Sequence, residues 1–229
     1  MEIELLVQTY PRLFHMAEDG AFPSIHEHGL LSATALLDRY EINGPQRVAI
    51  EARRRPESVT ISKQGLPDAV IRDNKPMTDS ALEKCLLDGL VPEQWYRTLN
   101  GKTFFWLHKK RLWRLLAAEA YRAFPQTILT IDTASLVAAH QDKILLSPIN
   151  SGSTIMNPQP RGIKTFLPIG EYPYADRRKS RPVENALVEL TVHYGVHDIK
   201  DHMISAHRFA DGKLAELWRR PGSAPDDGP

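Results

Sequence analysis

The order of helical and strand-like segments is the feature that most limits how this chain can fold. Helical patterns dominate the first half, with helices predicted at residues 2–10, 23–29, 32–40, 78–87, 92–100 and 109–122. Strand patterns dominate later, with strands predicted at 13–16, 102–107, 126–131, 143–146 and 187–193, and a hairpin at 203–217. Helices concentrated early and strands concentrated late predict an α+β fold.

The chain length favours one structural unit. At 229 residues the chain can bury one sizeable core, and two full domains are not expected. We therefore predict a single domain over residues 1–218. Residues 219–229 are rich in Pro, Gly and Asp and predict a disordered tail.

Composition limits the compartment and the partners. A net charge of +1 gives the chain no overall attraction to nucleic acid or to a membrane surface. Cys85 is the single cysteine, which excludes an internal disulfide and a cysteine-based metal cluster. We see no signal peptide and no apolar run of about 18–20 residues. These observations predict a cytoplasmic protein without a membrane partner.

One carboxylate stands in an otherwise apolar strand. Glu189 lies within ALVELTV, between Val188 and Leu190. A charged group in such a strand is costly unless it is paired, at an edge, or functional. Glu189 is therefore the first candidate for a catalytic group, and Glu184, in the preceding loop, is its nearest rival.

Three sequence blocks carry a resemblance to known families. The segment LFHMAEDGAFPSIHEHGLL, the block LNGKTFFWL and the block SPINSGST resemble an uncharacterised bacterial family that shares them. More distantly, the chain resembles DarT-type DNA ADP-ribosyltransferases, in which a strand ending in His precedes a helix of the form S-I-x-x-x-G-L. This resemblance implies an ADP-ribosyltransferase-like split β-sheet core with N-terminal helices.

The resemblance also implies roles for residues of an NAD site. His15 corresponds to a histidine that hydrogen-bonds a ribose hydroxyl of NAD, and imidazole can donate or accept such a bond. An aromatic ring of the KTFFWL strand, with Phe105 and Trp106 as the candidates, stacks on nicotinamide. Glu189 corresponds to the glutamate that stabilises the oxocarbenium-like transition state as nicotinamide leaves.

The polar loop before Glu189 supplies further candidates. Ser151 and Ser153 are predicted to contact NAD. Charged or amide groups predicted to contact the substrate are Asn150, Arg161, Arg177 and Arg178. An arginine is expected on the NAD phosphates because a planar guanidinium matches phosphate geometry, and Arg54 ranks slightly ahead of Arg72.

Other site types have weaker support in the sequence. The nine histidines include pairs such as His193 with His197 and His202 with His207, but neither pair has a standard ligand motif, so no metal centre is predicted. No phosphate-binding glycine fingerprint is present, so the predicted NAD site is not of the Rossmann type.

The functional prediction is an NAD-dependent mono-ADP-ribosyltransferase in which Glu189 is catalytic and NAD is a substrate. A nucleic-acid base is the acceptor that the DarT resemblance favours, and a monomer is expected. Two alternatives remain open at this stage: a non-catalytic nucleotide-binding or interaction module, and an enzyme resembling RNA 2′-phosphotransferases. Fold analogy alone does not decide among them.

Overall fold

The computed structural model describes residues 1–155 and 157–229. The described helices are α1 Ile3–Thr9, α2 Phe22–His28, α3 Ala33–Arg39, α4 Gly44–Glu51, α5 Asp79–Glu83, α6 Pro92–Asn100, α7 Lys109–Leu116, α8 Thr133–His140, α9 Tyr174–Arg178, α10 Val183–Ala186 and α11 Ile199–His202. The described strands are β1 Arg12–Glu18, β2 Leu30–Leu31, β3 Val59–Ile61, β4 Ala69–Ile71, β5 Lys102–Trp106, β6 Gln126–Asp132, β7 Ile144–Ser147, β8 Leu167–Pro168, β9 Glu189–His193, β10 Gly195–Val196, β11 Met203–Ala210 and β12 Lys213–Arg219.

A large antiparallel sheet organises the molecule. Eight strands follow the order β12-β11-β6-β1-β5-β9-β7-β8, and two small two-stranded sheets, β2 with β10 and β3 with β4, lie beside it. The architecture is mixed, with helices and an extensive antiparallel sheet, which confirms the α+β class. The sheet also contains a strand from early in the chain, since β1 occupies a central position.

The sheet opens between β1 and β5. Strands β1 and β6 pair along seven residues, from Arg12 opposite Asp132 to Glu18 opposite Gln126. By contrast, β1 and β5 pair at one position, Phe14 opposite Trp106. Beyond that pair the two strands separate, so the later residues of β1 have a strand partner on one side alone.

Alternation along the strands builds a core on each face of the sheet. Leu13 and Phe105 point to one face, where they pack with Leu136 of α8. Phe14 points to the other face, where it packs against Leu112 of α7. The apolar residues of α8 thus cover one face of the sheet, and those of α7 cover the other. This packing fixes which side chains of β1 and β5 point to each face.

Two predicted helices end earlier than their sequence patterns indicate. The helix predicted to reach residue 122 ends at Leu116, and its continuation turns so that buried Tyr121 lies beneath the guanidinium of Arg72. The helix predicted to reach residue 87 ends at Glu83. The following residues instead form a parallel bridge, Leu86 with Arg161. Long-range contacts outweigh local helical preference in both cases.

The C-terminal segment makes defined contacts where composition predicts disorder. Asp227 accepts two hydrogen bonds from Arg12, at 2.6 Å from Nε and 2.5 Å from Nη2. Arg219 donates to the carbonyl oxygen of Asp227 at 3.2 Å. The prediction of a disordered tail at 219–229 is corrected accordingly, because a bidentate ion pair attaches the segment to the start of β1.

No helix among the described residues combines the length and apolar character that crossing a bilayer requires.

A close backbone crossing after α2 requires glycine at position 29. Gly29 has φ 90° and ψ 165°, a conformation that side-chain-bearing residues rarely adopt. A Cβ atom there would lie 2.6 Å from the Cα of His197, since the β2–β10 pair brings the two segments together. The backbone conformation at position 29 and the closeness of His197 therefore both exclude a residue larger than glycine.

We predict that Gly29→Ala lowers the free energy of unfolding by roughly 3 kcal/mol, because backbone strain and a steric clash act together. Urea denaturation at equilibrium measures the change. The matched control is Gly20→Ala, which has φ 77° but nothing within 4 Å of the added Cβ, and should cost about 1 kcal/mol. Equal losses in the two variants would show that the crossing at His197 does not constrain the fold.

Candidate active site

A cleft of about 1120 Å³ lies where β1 and β5 separate. Its size is slightly above the range of roughly 300–1,000 Å³ that is usual for sites of small molecules and cofactors. Residues from β1, α2, β4, β5 and α7 line it, together with part of the loop after β7. Its polar or charged lining includes His15, Arg72, Arg111, Arg114, Asn150, Ser153 and Glu189.

Glu189 stands at the first position of β9 and forms part of the cleft wall. It pairs with Trp106 of β5 on one side and with Ser147 of β7 on the other. Although it is a carboxylate, the residue is 4% exposed. Its oxygens accept hydrogen bonds from the Ser151 backbone N–H at 3.1 and 3.2 Å and from the Ser151 hydroxyl at 2.7 Å. The carboxylate is therefore held in a fixed direction.

The surroundings place the ionisation of Glu189 close to neutral pH. Burial raises the pKa of Glu189 from 4.5 to about 7, because a charged carboxylate loses hydration there. The hydrogen bonds from Ser151 and the positive charges of Arg111 and Arg161 oppose this rise. A buried carboxylate at the wall of a cleft, with its pKa shifted close to neutral pH, is a candidate for a catalytic group.

Arg161 positions the loop that holds Glu189. Its guanidinium donates to the carbonyl oxygens of Ser151 and Ser153, both at 2.9 Å, and lies over the ring of Trp95. At 1% exposure it cannot reach a substrate from this position, so its predicted role in substrate binding is corrected. The bonds explain its burial, since the carbonyl groups satisfy donors that would otherwise be unpaired.

His15 of β1 lines the same cleft as a neutral imidazole. Its Nδ1 lies 2.8 Å from the carbonyl oxygen of Phe104. Because a carbonyl can only accept, Nδ1 carries the proton and Nε2 is left as a hydrogen-bond acceptor. Burial lowers the pKa of His15 to about 4, and the nearby charge of Arg72 acts in the same direction. The ring thus offers an acceptor to the cleft at neutral pH.

The strand register determines which aromatic ring lies near Glu189. Phe14, Trp106 and Glu189 are opposite one another across three strands and share one side of the pleat. His15 and Phe105 lie on the other side, with ring centroids 5.8 Å apart. His15 and Glu189 nevertheless line the same cleft, because the sheet is open beyond the Phe14 pair.

The two predicted aromatic candidates have different environments. Trp106 is half-buried, lines the cleft and neighbours Glu189. Phe105 is 1% exposed and its ring belongs to the core beside Leu13 and Leu129. Phe105 also borders the cleft, but it exposes almost no surface, so its predicted stacking role is corrected in favour of Trp106.

Arg54, the predicted phosphate ligand, lies outside the cleft. It is exposed and donates from Nε to the carbonyl oxygen of Met77 at 2.6 Å. Its role is corrected, since this bond anchors the loop before α5. Arg72, the lower-ranked candidate, lines the cleft and follows β4 directly.

The guanidinium of Arg72 has unused hydrogen-bonding capacity. It lies 5.1 Å from the ring centroid of Tyr121, and its Nε is 4.0 Å from a carboxylate oxygen of Glu18. Its Nη1 is buried and has no hydrogen-bond partner among the described residues. Because buried donors are almost always paired, the unpaired Nη1 leaves Arg72, whose side chain is 22% exposed, with hydrogen-bonding capacity for a ligand.

The remaining predicted residues divide between the cleft and its surroundings. Asn150 and Ser153 line the cleft, whereas Ser151 lies behind it as the partner of Glu189. Arg177 donates to the carbonyl oxygens of Ala186 and Pro148, and Arg178 donates to that of Arg181. The predicted substrate contacts of Arg177 and Arg178 are corrected, because neither residue lines the cleft.

Two basic residues of α7 that line the cleft were not predicted from the sequence. Arg111 and Arg114 both line the cleft, and Arg111 donates to the carbonyl oxygen of Glu184 at 2.8 Å. The signal was present, since Leu112 and Leu116 point into the core and leave the arginines on the adjoining face. What the sequence did not show is that this face borders the cleft.

The chain matches a family model over residues 11–203. The model describes a family of unknown function, DUF7002. The chain belongs to DUF7002. The match includes His15, Trp106, Ser151 and Glu189, and it ends at the first residue of β11. A search of curated proteins finds no match to this DUF7002 chain.

We predict that Glu189→Gln stabilises the protein at alkaline pH. Since the pKa of Glu189 is raised, its contribution to stability is complete below pH 4.5 and is lost as the pH rises through about 7. The loss amounts to about 3 kcal/mol at most, and a glutamine does not suffer it. Urea unfolding at pH 4.5 and pH 8 should show an advantage for Glu189→Gln that grows with pH. Exposed Glu171→Gln is the control, and parallel curves for both variants would contradict the shifted pKa.

Proposed function

We propose that this DUF7002 protein is an NAD-dependent mono-ADP-ribosyltransferase whose catalytic carboxylate is Glu189. The observation that carries the proposal is the buried Glu189, oriented by Ser151, at the wall of a cleft that His15 and Trp106 also line. The opening of the sheet between β1 and β5 supports the expected split core. The order of the site elements along the chain agrees with the resemblance to DarT-type enzymes.

The chemistry of each side chain fits a distinct part of NAD. Nε2 of His15 can accept a hydrogen bond from a ribose hydroxyl, and Trp106 offers an indole to the nicotinamide ring. The guanidinium of Arg72, which lines the cleft and has spare hydrogen-bonding capacity, suits a phosphate oxygen. All three groups line the same cleft, so one bound NAD molecule could contact each of them.

Glu189 would act on the bond between nicotinamide and ribose. Its ionised carboxylate would hold the ribose 2′-hydroxyl and stabilise the positive charge that develops at the anomeric carbon. The bond from that carbon to nicotinamide breaks, and its electron pair leaves with nicotinamide. The acceptor supplies the electron pair of the new bond and then releases a proton. The fixed hydrogen bonds from Ser151 reduce the reorganisation that this step needs.

A nucleic-acid base is the acceptor that we propose. The resemblance to DarT-type enzymes favours it, and exposed Arg114 at the edge of the cleft offers a contact for a phosphate. The net charge of +1 means that such binding would rest on local groups. Binding without turnover would leave nicotinamide unreleased, so nicotinamide release separates that alternative from catalysis. An enzyme resembling RNA 2′-phosphotransferases would rely on an Arg/His set instead of a late carboxylate, so the dependence of the reaction on Glu189 separates that alternative from the proposed transferase.

We predict that the protein releases nicotinamide from labelled NAD in the presence of single-stranded DNA or RNA, and that label appears in the nucleic acid. Glu189→Ala should lower the rate at least ~100-fold, since removing one group that stabilises transition-state charge typically has that effect. Separating the nucleic-acid and protein fractions identifies the acceptor.

The matched control for this experiment is Glu184→Gln. Glu184 is close in sequence, but its carboxylate pairs with Lys110, so its loss should leave the rate unchanged. If neither release nor transfer occurs with DNA, RNA or protein, or if both variants behave alike, Glu189 is not the catalytic group.

We further predict that Arg72→Ala weakens NAD binding roughly 10-fold or more, the loss expected for a charge-assisted hydrogen bond. Arg54→Ala should leave the dissociation constant unchanged, because Arg54 bonds a backbone carbonyl outside the cleft. Isothermal titration calorimetry measures both. The opposite ranking would restore Arg54 as the phosphate ligand.

A further inference from the structure

Three potential metal ligands from distant parts of the chain meet outside the cleft. His140 ends α8, Asp198 precedes α11, and His202 ends α11. Nε2 of His140 lies 2.7 Å from one oxygen of Asp198, and Nε2 of His202 lies 3.3 Å from the other. The two imidazole rings stand nearly perpendicular, with centroids 5.5 Å apart. All three side chains therefore point toward one location.

We propose that His140, Asp198 and His202 form a binding site for a divalent transition metal ion, with zinc as the ion of best fit. The three ligand atoms already lie within 4.8 Å of one another. In a tetrahedral zinc site with bonds of about 2.0–2.1 Å, ligand atoms stand about 3.3 Å apart. The present spacings thus bracket the required one, and small side-chain adjustments would complete the site.

The donor set favours this class of ion. Two imidazole nitrogens and one carboxylate oxygen suit zinc and its first-row neighbours, whereas calcium and magnesium prefer oxygen ligands alone. Three protein ligands leave a fourth position for water. The side chain of Asp198 is 42% exposed, which gives that position access to solvent.

The orientation of His202 is already set by an outer hydrogen bond. Its Nδ1 lies 3.1 Å from the hydroxyl of Ser135, in the first turn of α8. A serine hydroxyl can accept as well as donate, so it can hold the tautomer that has its proton on Nδ1 and leaves Nε2 free for metal. Metal-binding histidines almost always have such a partner on their other nitrogen.

Binding would link two segments that are far apart in sequence. His140 and Asp198 are separated by 58 residues, and α8 and α11 pack together at this point. An ion that binds only the folded arrangement stabilises it by mass action. None of the three residues lines the cleft, so this site does not depend on the proposed transferase function.

The test uses full-length protein without a polyhistidine tag, dialysed against a chelator. Cobalt(II) chloride should bind at one equivalent and give the visible absorption of a four-coordinate ion, which zinc chloride then displaces. Affinities follow from competition with a zinc indicator. His140→Ala and Asp198→Asn should each weaken zinc binding at least ~10-fold, and Ser135→Ala roughly 10-fold. His193→Ala, an exposed histidine outside the group, should not change it.

Thermal unfolding provides a second measurement. Zinc should raise the Tm of the native protein and of His193→Ala but not that of His140→Ala. Asp198→Asn preserves side-chain volume, so it carries the test if His140→Ala fails to fold by circular dichroism. Absence of saturable cobalt or zinc binding, or equal affinity in the native protein and these variants, would overturn the proposal. In that case the three residues form only a hydrogen-bonded contact between α8 and α11.

Discussion

The separation of β1 from β5 is the constraint on which the rest of the structure depends. Full pairing would continue the ladder past Phe14 and Trp106 and would close the sheet over the position that the cleft occupies. Because pairing stops there, His15 is free to bond the Phe104 carbonyl, and both sides of the pleat gain access to the same space. The cleft is thus a consequence of strand pairing and needs no separate domain to form it.

The opening has an energetic consequence at Glu189. The Glu189 carboxylate on β9 forms part of the cleft wall, where little water reaches it. Among the described residues, Ser151 donates the hydrogen bonds that compensate for this burial. Arg161 fixes that loop through the Ser151 and Ser153 carbonyl groups, and so supports the carboxylate without touching a ligand. The buried position of Glu189 lowers the stability of the fold at neutral pH, as is common where function requires an unfavourable environment. An apolar residue at this position would pack more easily and would offer no chemistry.

Local sequence patterns could predict the elements but not their assembly. The strand that carries Glu189 and the start of α5 near residue 78 could both be predicted, because apolar alternation and capping groups act over a few residues. The roles of arginines were not readable. Arg54, Arg72 and Arg161 are the same residue type, and only tertiary contacts decide that Arg72 lines the cleft while the other two bond backbone carbonyls.

The histidines show the same limit, because closeness in sequence does not identify the residues that meet in the fold. The sequence places His202 within reach of His207, yet alternation along β11 and the turn of α11 bring it instead to His140, 62 residues earlier. The i, i+4 spacing of Asp198 and His202 is visible in the sequence, but one such pair is common on helices and predicts nothing alone. The third ligand comes from the end of α8, whose position is fixed by its packing on the sheet through Leu136 and Val137. Such a group of ligands comes together only when the helices pack on this face of the sheet, so the sequence alone does not reveal it.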